Sequence, residues 1–284
     1  MLRDVAKARL AIARVSLSLA GKLPDAIKRR WSKSSLAKIP RRVMKAVVGT
    51  EGAQVYRIVA GEAKGLKIKT DLRFYRGYML GTYEPDVVKL IAEIVKAGMV
   101  CMDIGAHHGY YSILLSSLVG SDGMVYSFEA ASSNFEYLEE TICANRLNNI
   151  ICYNLAVGKK TGTAFLSLAD SSSMHRVVTD LKCTDKKKQE KEYEVEMTCL
   201  DDFVKNEGVK KVDFVKIDVE GMENDVLRGM ESVLFYMRPL ILCEFHGKEK
   251  FNIGEKYLSE KGYIFTSIIE NNGIYWAMAK PSLR

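Results

Sequence analysis

Three short stretches hold the side chains that could do chemistry. The first, Cys101-Met-Asp103-Ile-Gly105-Ala-His-His-Gly109, leads an acidic residue into a glycine-rich turn. Gly105 and Gly109 let the backbone approach a ligand and turn sharply from strand to helix. A dinucleotide fingerprint would read GxGxxG and hold a pyrophosphate at a helix N-terminus. Here an Asp precedes the first glycine and no GxG occurs. A carboxylate there repels a pyrophosphate and suits a ligand carrying an amine or sulfonium cation. The second stretch, Tyr126-Ser-Phe128-Glu129, ends a strand in an acid. It lies about 20 residues past the turn, the spacing at which a carboxylate accepts two ribose hydroxyls.

The third constellation is Lys216-Ile-Asp218-Val-Glu220-Gly221 at one strand end and Glu244-Phe-His246 at the next. Period-two spacing puts Asp218 and Glu220 on one side of their strand, and Glu244 and His246 on one side of theirs. In an open α/β sheet, ligands bind beyond the carboxyl ends of strands. Group transfer to a hydroxyl needs a positioned base for its proton, which contributes ~10²–10⁴-fold. His246 is the first choice for that base and Asp218 the second, with Glu220 and Glu244 beside them. The plain alternative is a strand-end histidine bonded to a carbonyl. The same four groups could bind Mg²⁺ or a transition ion. No tight ligand motif such as HExxH is present, so no metal is assigned. His107 and His108, adjacent on a turn, diverge too far to form a metal pair, and His175 reads as a substrate-loop residue.

The elements that must position these groups follow from periodicity. Residues Gln54 to Lys69 alternate apolar and polar around two glycines and read as a hairpin. Pro85 opens a helix with Val87, Ile91, Ile94 and Val95 as its apolar stripe, ended by Gly98. Strand and helix then alternate: Val100–Ile104, a helix from about Tyr110 to Leu118, Met124–Phe128, a helix over Asn134 to Asn145, and Ile150–Asn154. A two-stranded excursion, Ala164–Leu168 with Tyr193–Met197, brackets a Ser- and Lys-rich loop from Ser171 to Lys191, long enough for a lid or binding loop. The main pattern resumes with Phe214–Val219, a helix over Asn224 to Met230, Leu240–Phe245 and a helix near Glu255–Glu260. Ile264–Ile269 and Ile274–Ala279 close the chain as a hairpin around Asn272-Gly273. The expected fold class is therefore α/β, a Rossmann-like doubly wound sheet ending in an antiparallel hairpin. Its expected units are a basic arm (1–50), a hairpin lead-in (51–84) and a catalytic domain (85–284).

Charge is unevenly placed. The net charge is +7, yet thirteen of the 42 Lys and Arg residues and two of the 35 acids fall at or before Lys45, so the arm carries +11 and the rest −4. Val5, Ile12, Val15 and Leu19 give the arm a weakly amphipathic basic helix, the type that lies on an anionic membrane surface. Nucleic acid is the other acidic partner such an arm could meet, and a solvated leader is the plain alternative. The six cysteines form no CxxC pair, which points to a reduced, cytoplasmic setting. The best apolar run, Val233 to Phe245, is broken by Arg238 and Pro239 and is too short to span a bilayer. Arg9 and Arg14 interrupt the N-terminal apolar stretch, unlike a secretory signal.

Taken in order, the stretches resemble the FkbM-type methyltransferases. The matching segments are Gly81-Thr-Tyr-Glu84-Pro85, Met102-Asp-Ile-Gly-Ala106, Phe128-Glu129, Asn145-Arg-Leu-Asn148-Asn149, Leu200-Asp201, Lys216 to Gly221 and Pro239 to His246. His107 stands where that family usually has Asn, and Ala130 where it usually has Pro. The resemblance implies S-adenosylmethionine as cofactor, bound by Asp103, Gly105 and Glu129, with Asn154 to Val157, including Ala156, near the adenine. Ala106, Gly109, Ala130 and Asp218 complete the expected contacts. It also implies O-methylation of a hydroxyl on a sugar, glycolipid or other small metabolite. The rival readings are a nucleic-acid methyltransferase and a module that only binds cofactor. Against the first, prolines stand only at 24, 40, 85, 239 and 281, leaving no Asn/Asp-Pro-Pro-aromatic motif and no Pro-Cys nucleophile. Against the second, the acid/base cluster is intact.

Overall fold

Short apolar runs alternating with helical segments bury both faces most simply as a parallel sheet between helical layers. The computed structural model describes residues 52–167, 176–178 and 192–282. The basic arm, His175 and most of the Ser- and Lys-rich loop lie outside the described residues.

The lead-in hairpin pairs β1 (Gln54–Arg57) with β2 (Lys67–Thr70) antiparallel. It is followed by α1 (Leu72–Leu80), a helix the periodicity did not predict. Its run Leu-Arg-Phe-Tyr-Arg-Gly-Tyr-Met-Leu mixes aromatic and basic residues around Gly77, and Tyr75 departs from helical geometry at φ −117°, ψ 40°, so no clean stripe exists. Asp71 caps it by accepting from Arg73 N at 2.9 Å. Next come α2 (Pro85–Ile94), β3 (Val100–Ile104), α3 (Tyr110–Val119), β4 (Met124–Phe128), α4 (Ser132–Asn145) and β5 (Ile150–Tyr153). The excursion comprises β6 (Ala156–Val157), β7 (Gly162–Ser167), β8 (Arg176–Val178) and β9 (Glu192–Thr198), a separate small sheet in the order β6-β9-β7-β8. A second unpredicted helix, α5 (Leu200–Asn206), leads to β10 (Phe214–Ile217), which ends two residues before the expected Val219. Then follow α6 (Glu223–Arg228), β11 (Leu240–His246), α7 (Lys248–Glu260), β12 (Tyr263–Asn271) and β13 (Ile274–Pro281).

The main sheet has the order β12-β13-β11-β10-β3-β4-β5. The strands from β11 to β5 run parallel, while β13 is antiparallel to both β11 and β12. This is the Rossmann-like doubly wound class that the sequence implies. From β3 the chain winds outward through β4 to β5, then returns to β10 beside β3 and winds the other way. The two carboxyl ends at that reversal leave a crevice, the general ligand position of such sheets.

Two apolar layers hold the sheet. One packs α5, α6 and α7 against it through Leu200, Phe203, Val226, Leu227 and Leu258. In the other, Ile113, Leu114 and Leu115 of α3 share a cluster with Val88 and Ile91 of α2 and with Ile58 and Ile68 of the lead-in. The helix α3 is buried on nearly all sides, between the sheet and an apolar cluster that it shares with α2, the lead-in and Tyr78 of α1. Among the described residues no helix is long and apolar enough to cross a membrane.

Candidate active site

A cavity of about 350 Å³ opens at the crevice between β3 and β10. Its floor is the glycine turn. Gly105 sits at φ +78°, and a Cβ there would lie 1.7 Å from the Asp218 carbonyl oxygen, so the two strand ends can meet only through glycine. The turn is tied to β4 by Gly105 N and Ala106 N, which donate to Phe128 O at 3.0 and 2.9 Å. Gly109, also in the left-handed region at φ +87°, heads α3 but does not line the cavity.

Glu129 lies on the cavity wall and is 8% exposed. Its Oε2 accepts from His107 N at 2.8 Å and its Oε1 from Ala131 N at 2.9 Å. Burial pushes its carboxyl upward, opposed by those two backbone donors. A carboxylate has about four acceptor positions, so capacity remains for hydroxyls arriving from the cavity. Ala106, Ala130 and Ala156 also line it, with Leu155 and Val157 supplying an apolar side. Asn154 does not. Its amide donates to Glu129 O and Ala130 O at 2.8 and 3.1 Å, which makes it a clip between strand ends and not a wall residue.

The structure also corrects the placing of Asp103. Its side chain is fully buried and off the cavity wall. Parallel register sets it directly opposite Lys216. The Lys216 ammonium lies 3.3 Å from Asp103 Oδ1, and Ser112 Oγ donates to Oδ2 at 2.6 Å. The carboxylate that the sequence offers to a cationic ligand is thus neutralised within the fold. Lys216, 1% exposed, also reaches Asp218 Oδ2 at 3.4 Å, donates to Gly105 O at 3.0 Å, and sits 5.0 Å from the Tyr111 ring centroid. Burial would lower its pKa, but the charges of Asp103, Asp218 and Glu244 raise it, so it stays an ammonium. A lysine inside the apolar run Phe214-Val-Lys-Ile217 was a readable signal for this role.

Sequence reasoning missed the aromatic wall as well. Tyr75 and Tyr78 of α1 join Tyr83, Tyr110, Tyr111 and His107 around the cavity. Tyr78 stacks on Tyr110 with centroids 5.0 Å apart, and its hydroxyl lies 3.2 Å from His107 Nδ1. Burial drives the phenols of Tyr78, Tyr83 and Tyr111 well above their ordinary range, so the wall is neutral. Tyr111 donates its hydroxyl to Glu84, whose own carboxyl is pushed to about 7 by burial and by Asp218. Glu84, His107 and Glu220 all hold positive φ (40°, 51° and 46°), a costly conformation for such residues that gathers here around the site.

Asp218 and Glu220 line the cavity from the turn that follows β10, not from a strand as their spacing suggests. Glu244 and His246 do not, although one ligand atom from each of Asp218, Glu244 and His246 lies within 4.8 Å of the others. His246 Nδ1 is 2.6 Å from Glu223 Oε1. Its Nε2 is 3.2 Å from Glu220 Oε2 and 3.5 Å from Glu244 Oε1. Burial alone would lower the His246 pKa, but its bond to Glu223 and the charges of Glu220 and Asp218 raise it. Burial, then the charges of Asp218 and Glu84, push the Glu244 carboxyl up to about 10. Glu223, fully buried at the start of α6, was not foreseen. No motif marks it, and only the packing of α6 beside β11 brings it to the imidazole.

Residues 103–265 match the model of the methyltransferase FkbM domain. The chain is 26% identical over 181 residues to the hexuronic acid methyltransferase AglP of Haloferax volcanii, covering 62% of this chain and 68% of that one. Among solved structures, it is similar to a methyltransferase FkbM from Methylobacillus flagellatus at 14% identity and a TM-score of 0.47, over 63% of this chain and 44% of that one. It is also similar to M. jannaschii TYW2 in complex with AdoMet at 18% identity and a TM-score of 0.47, over 82% and 88% of the two chains.

Proposed function

The chain belongs to the FkbM methyltransferase family and its cofactor is S-adenosylmethionine, and from that premise we propose that it methylates a hydroxyl oxygen of a sugar or a sugar-bearing lipid. The residues of the cavity suit that cofactor. Glu129 offers acceptor oxygens to ribose hydroxyls, the apolar Leu155, Ala156 and Val157 suit an adenine, and the Cβ-free turn at Gly105 admits a ligand against backbone. Bound there, S-adenosylmethionine supplies an electrophilic methyl group on a sulfonium.

The observation that carries the acceptor reading is the pairing of an aromatic wall with a carboxylate–histidine group at one cavity. Tyrosine faces and hydroxyls suit the apolar faces and polar edges of a sugar ring. The acceptor hydroxyl meets the wall at Asp218 and Glu220, and its proton passes to the group these residues form with Glu244 and His246. Glu223 fixes the orientation of His246 in that group through Nδ1. Lys216, 3.4 Å from Asp218 Oδ2, holds that side chain against the floor of the site. The similarity to a hexuronic acid methyltransferase supports a sugar acceptor.

The test is incubation of the full chain with S-adenosylmethionine and a panel of neutral sugars, uronic acids and their glycolipids, followed by mass spectrometry. A gain of about 14 mass units that survives mild alkali is the expected result, because an ether is stable where a methyl ester hydrolyses. An alkali-labile product moves the acceptor from hydroxyl to carboxyl. Methylation of RNA in place of every sugar tested refutes the reading.

A further inference from the structure

The carboxylate–histidine group beside the cavity crowds several acidic side chains together. Asp218, Glu220, Glu223 and Glu244 surround one imidazole. Lys216 is shared between Asp103 and Asp218, and Lys250 stands 3.7 Å from Glu223 Oε2 while donating to Gly221 O at 2.9 Å. Glu244 is the telling member. It is 6% exposed, and its Oε1 lies 3.5 Å from His246 Nε2. Burying a carboxyl is costly, and a cation that takes its oxygens offsets that cost.

We propose that Asp218, Glu244 and His246 form a binding site for a divalent, oxygen-preferring cation such as Mg²⁺ or Mn²⁺. The spacing fits. At metal–ligand distances of about 2.1 Å, cis ligands lie about 3 Å apart and trans ligands about 4.2 Å. The three ligand atoms already lie within 4.8 Å of one another, so side-chain shifts of up to about 2 Å, within rotamer reach, would close the set. The imidazole is pre-aimed. Glu223 takes Nδ1, which leaves Nε2 facing Glu220 and Glu244, the carboxylate–histidine arrangement that orients metal ligands. Two carboxylates and one imidazole, with no thiolate in the group, select a hard cation over a soft one.

The site adjoins the cavity through Asp218, so coordination positions that the protein leaves open face the acceptor. A cation there can take two neighbouring oxygens of a sugar. It also lets an anionic sugar approach a wall whose Asp218 and Glu220 would otherwise repel it. Glu220, on that wall and outside the ligand set, is then the carboxylate left to receive the hydroxyl proton. This role deepens the sugar-hydroxyl reading, while the binding site itself stands on the side chains alone.

The experiment is titration of the chelator-stripped full chain with Mn²⁺, followed by electron paramagnetic resonance, without cofactor or acceptor. One site tighter than about 1 mM is expected. Glu244→Gln and His246→Ala should each weaken it at least tenfold while S-adenosylmethionine still binds, which shows that the variants fold. No Mn²⁺ site below that limit overturns the proposal, and so does unchanged Mn²⁺ affinity in Glu244→Gln; the buried acid then simply holds a proton. Because the readout needs no acceptor, failure of the sugar-methylation assay leaves this result intact, and the converse also holds.

Discussion

Replacing Lys216 by Met is expected to cost about 3–5 kcal/mol of folding stability, the usual loss when one partner of a buried ion pair is removed. Met fills nearly the same space, so little of that loss comes from packing. The ammonium is 1% exposed and stands 3.3 Å from Asp103 Oδ1. At an effective dielectric of about 20, that separation corresponds to about 5 kcal/mol of attraction, before the desolvation of Lys216 is subtracted. In the variant, Asp103 remains fully buried with Ser112 Oγ as its hydrogen-bond donor, and Gly105 O loses the Lys216 donor at the floor of the site. The assay is urea unfolding followed by circular dichroism, comparing midpoints at equal slope. Adding Asp103→Asn to Lys216→Met should restore at least half of the lost stability, because the stranded charge is then gone. A loss below about 1 kcal/mol for Lys216→Met refutes the assignment of Lys216 as the counter-ion of Asp103, as does a double variant whose losses simply add.

Glu129→Ala should weaken S-adenosylmethionine binding at least about tenfold by calorimetry, since hydrogen bonds to a charged group contribute about 1.5–3 kcal/mol each. Affinity equal to the parent's would remove Glu129 from the ribose site. His246→Ala should lower turnover by ~10²-fold or more while cofactor affinity stays within a few-fold, because the loss falls on the transition state; near-normal turnover would make His246 structural. His108 is 1% exposed, and burial pushes its imidazole down to about 3. Unfolded, the ring takes up a proton near pH 6.5, so stability is full above that value and falls as the pH drops toward 3, by up to about 3 kcal/mol at pH 4. His108→Gln should flatten that acid limb in thermal melts between pH 7 and 4, and an unchanged limb would show that other groups cause it.

Much of the architecture was readable because its determinants are local. Strand and helix periods, Pro85 at a helix start and Asn272-Gly273 in a hairpin turn each depend on a few neighbouring residues. The same locality made Gly105 and Glu129 legible: a strand end, a glycine turn and a second strand end follow one another within 25 residues. The crevice beyond β3 and β10 came with the fold class, but β10 ends at Ile217, so the turn after it, and not the strand period, puts Asp218 and Glu220 on its wall.

What the sequence could not decide was what faces each of these groups. Asp103 precedes a glycine turn as a ligand-binding acid would, yet a parallel register one strand away sets Lys216 against it and withdraws it from the cavity. Glu244 and His246 share a strand side, but their distance from the cavity depends on how β10 and β11 lie and on α6 bringing Glu223 to the imidazole. The aromatic wall depends on α1, whose mixed residues show no clean stripe in the sequence and which shares an apolar cluster with the lead-in and α3. Local spacing fixes which residues end a strand, because backbone geometry repeats every two or 3.6 residues. The charges and rings those ends meet come mostly from segments about 20 to 135 residues away in the chain, and only the packing of the sheet and its helices brings them together.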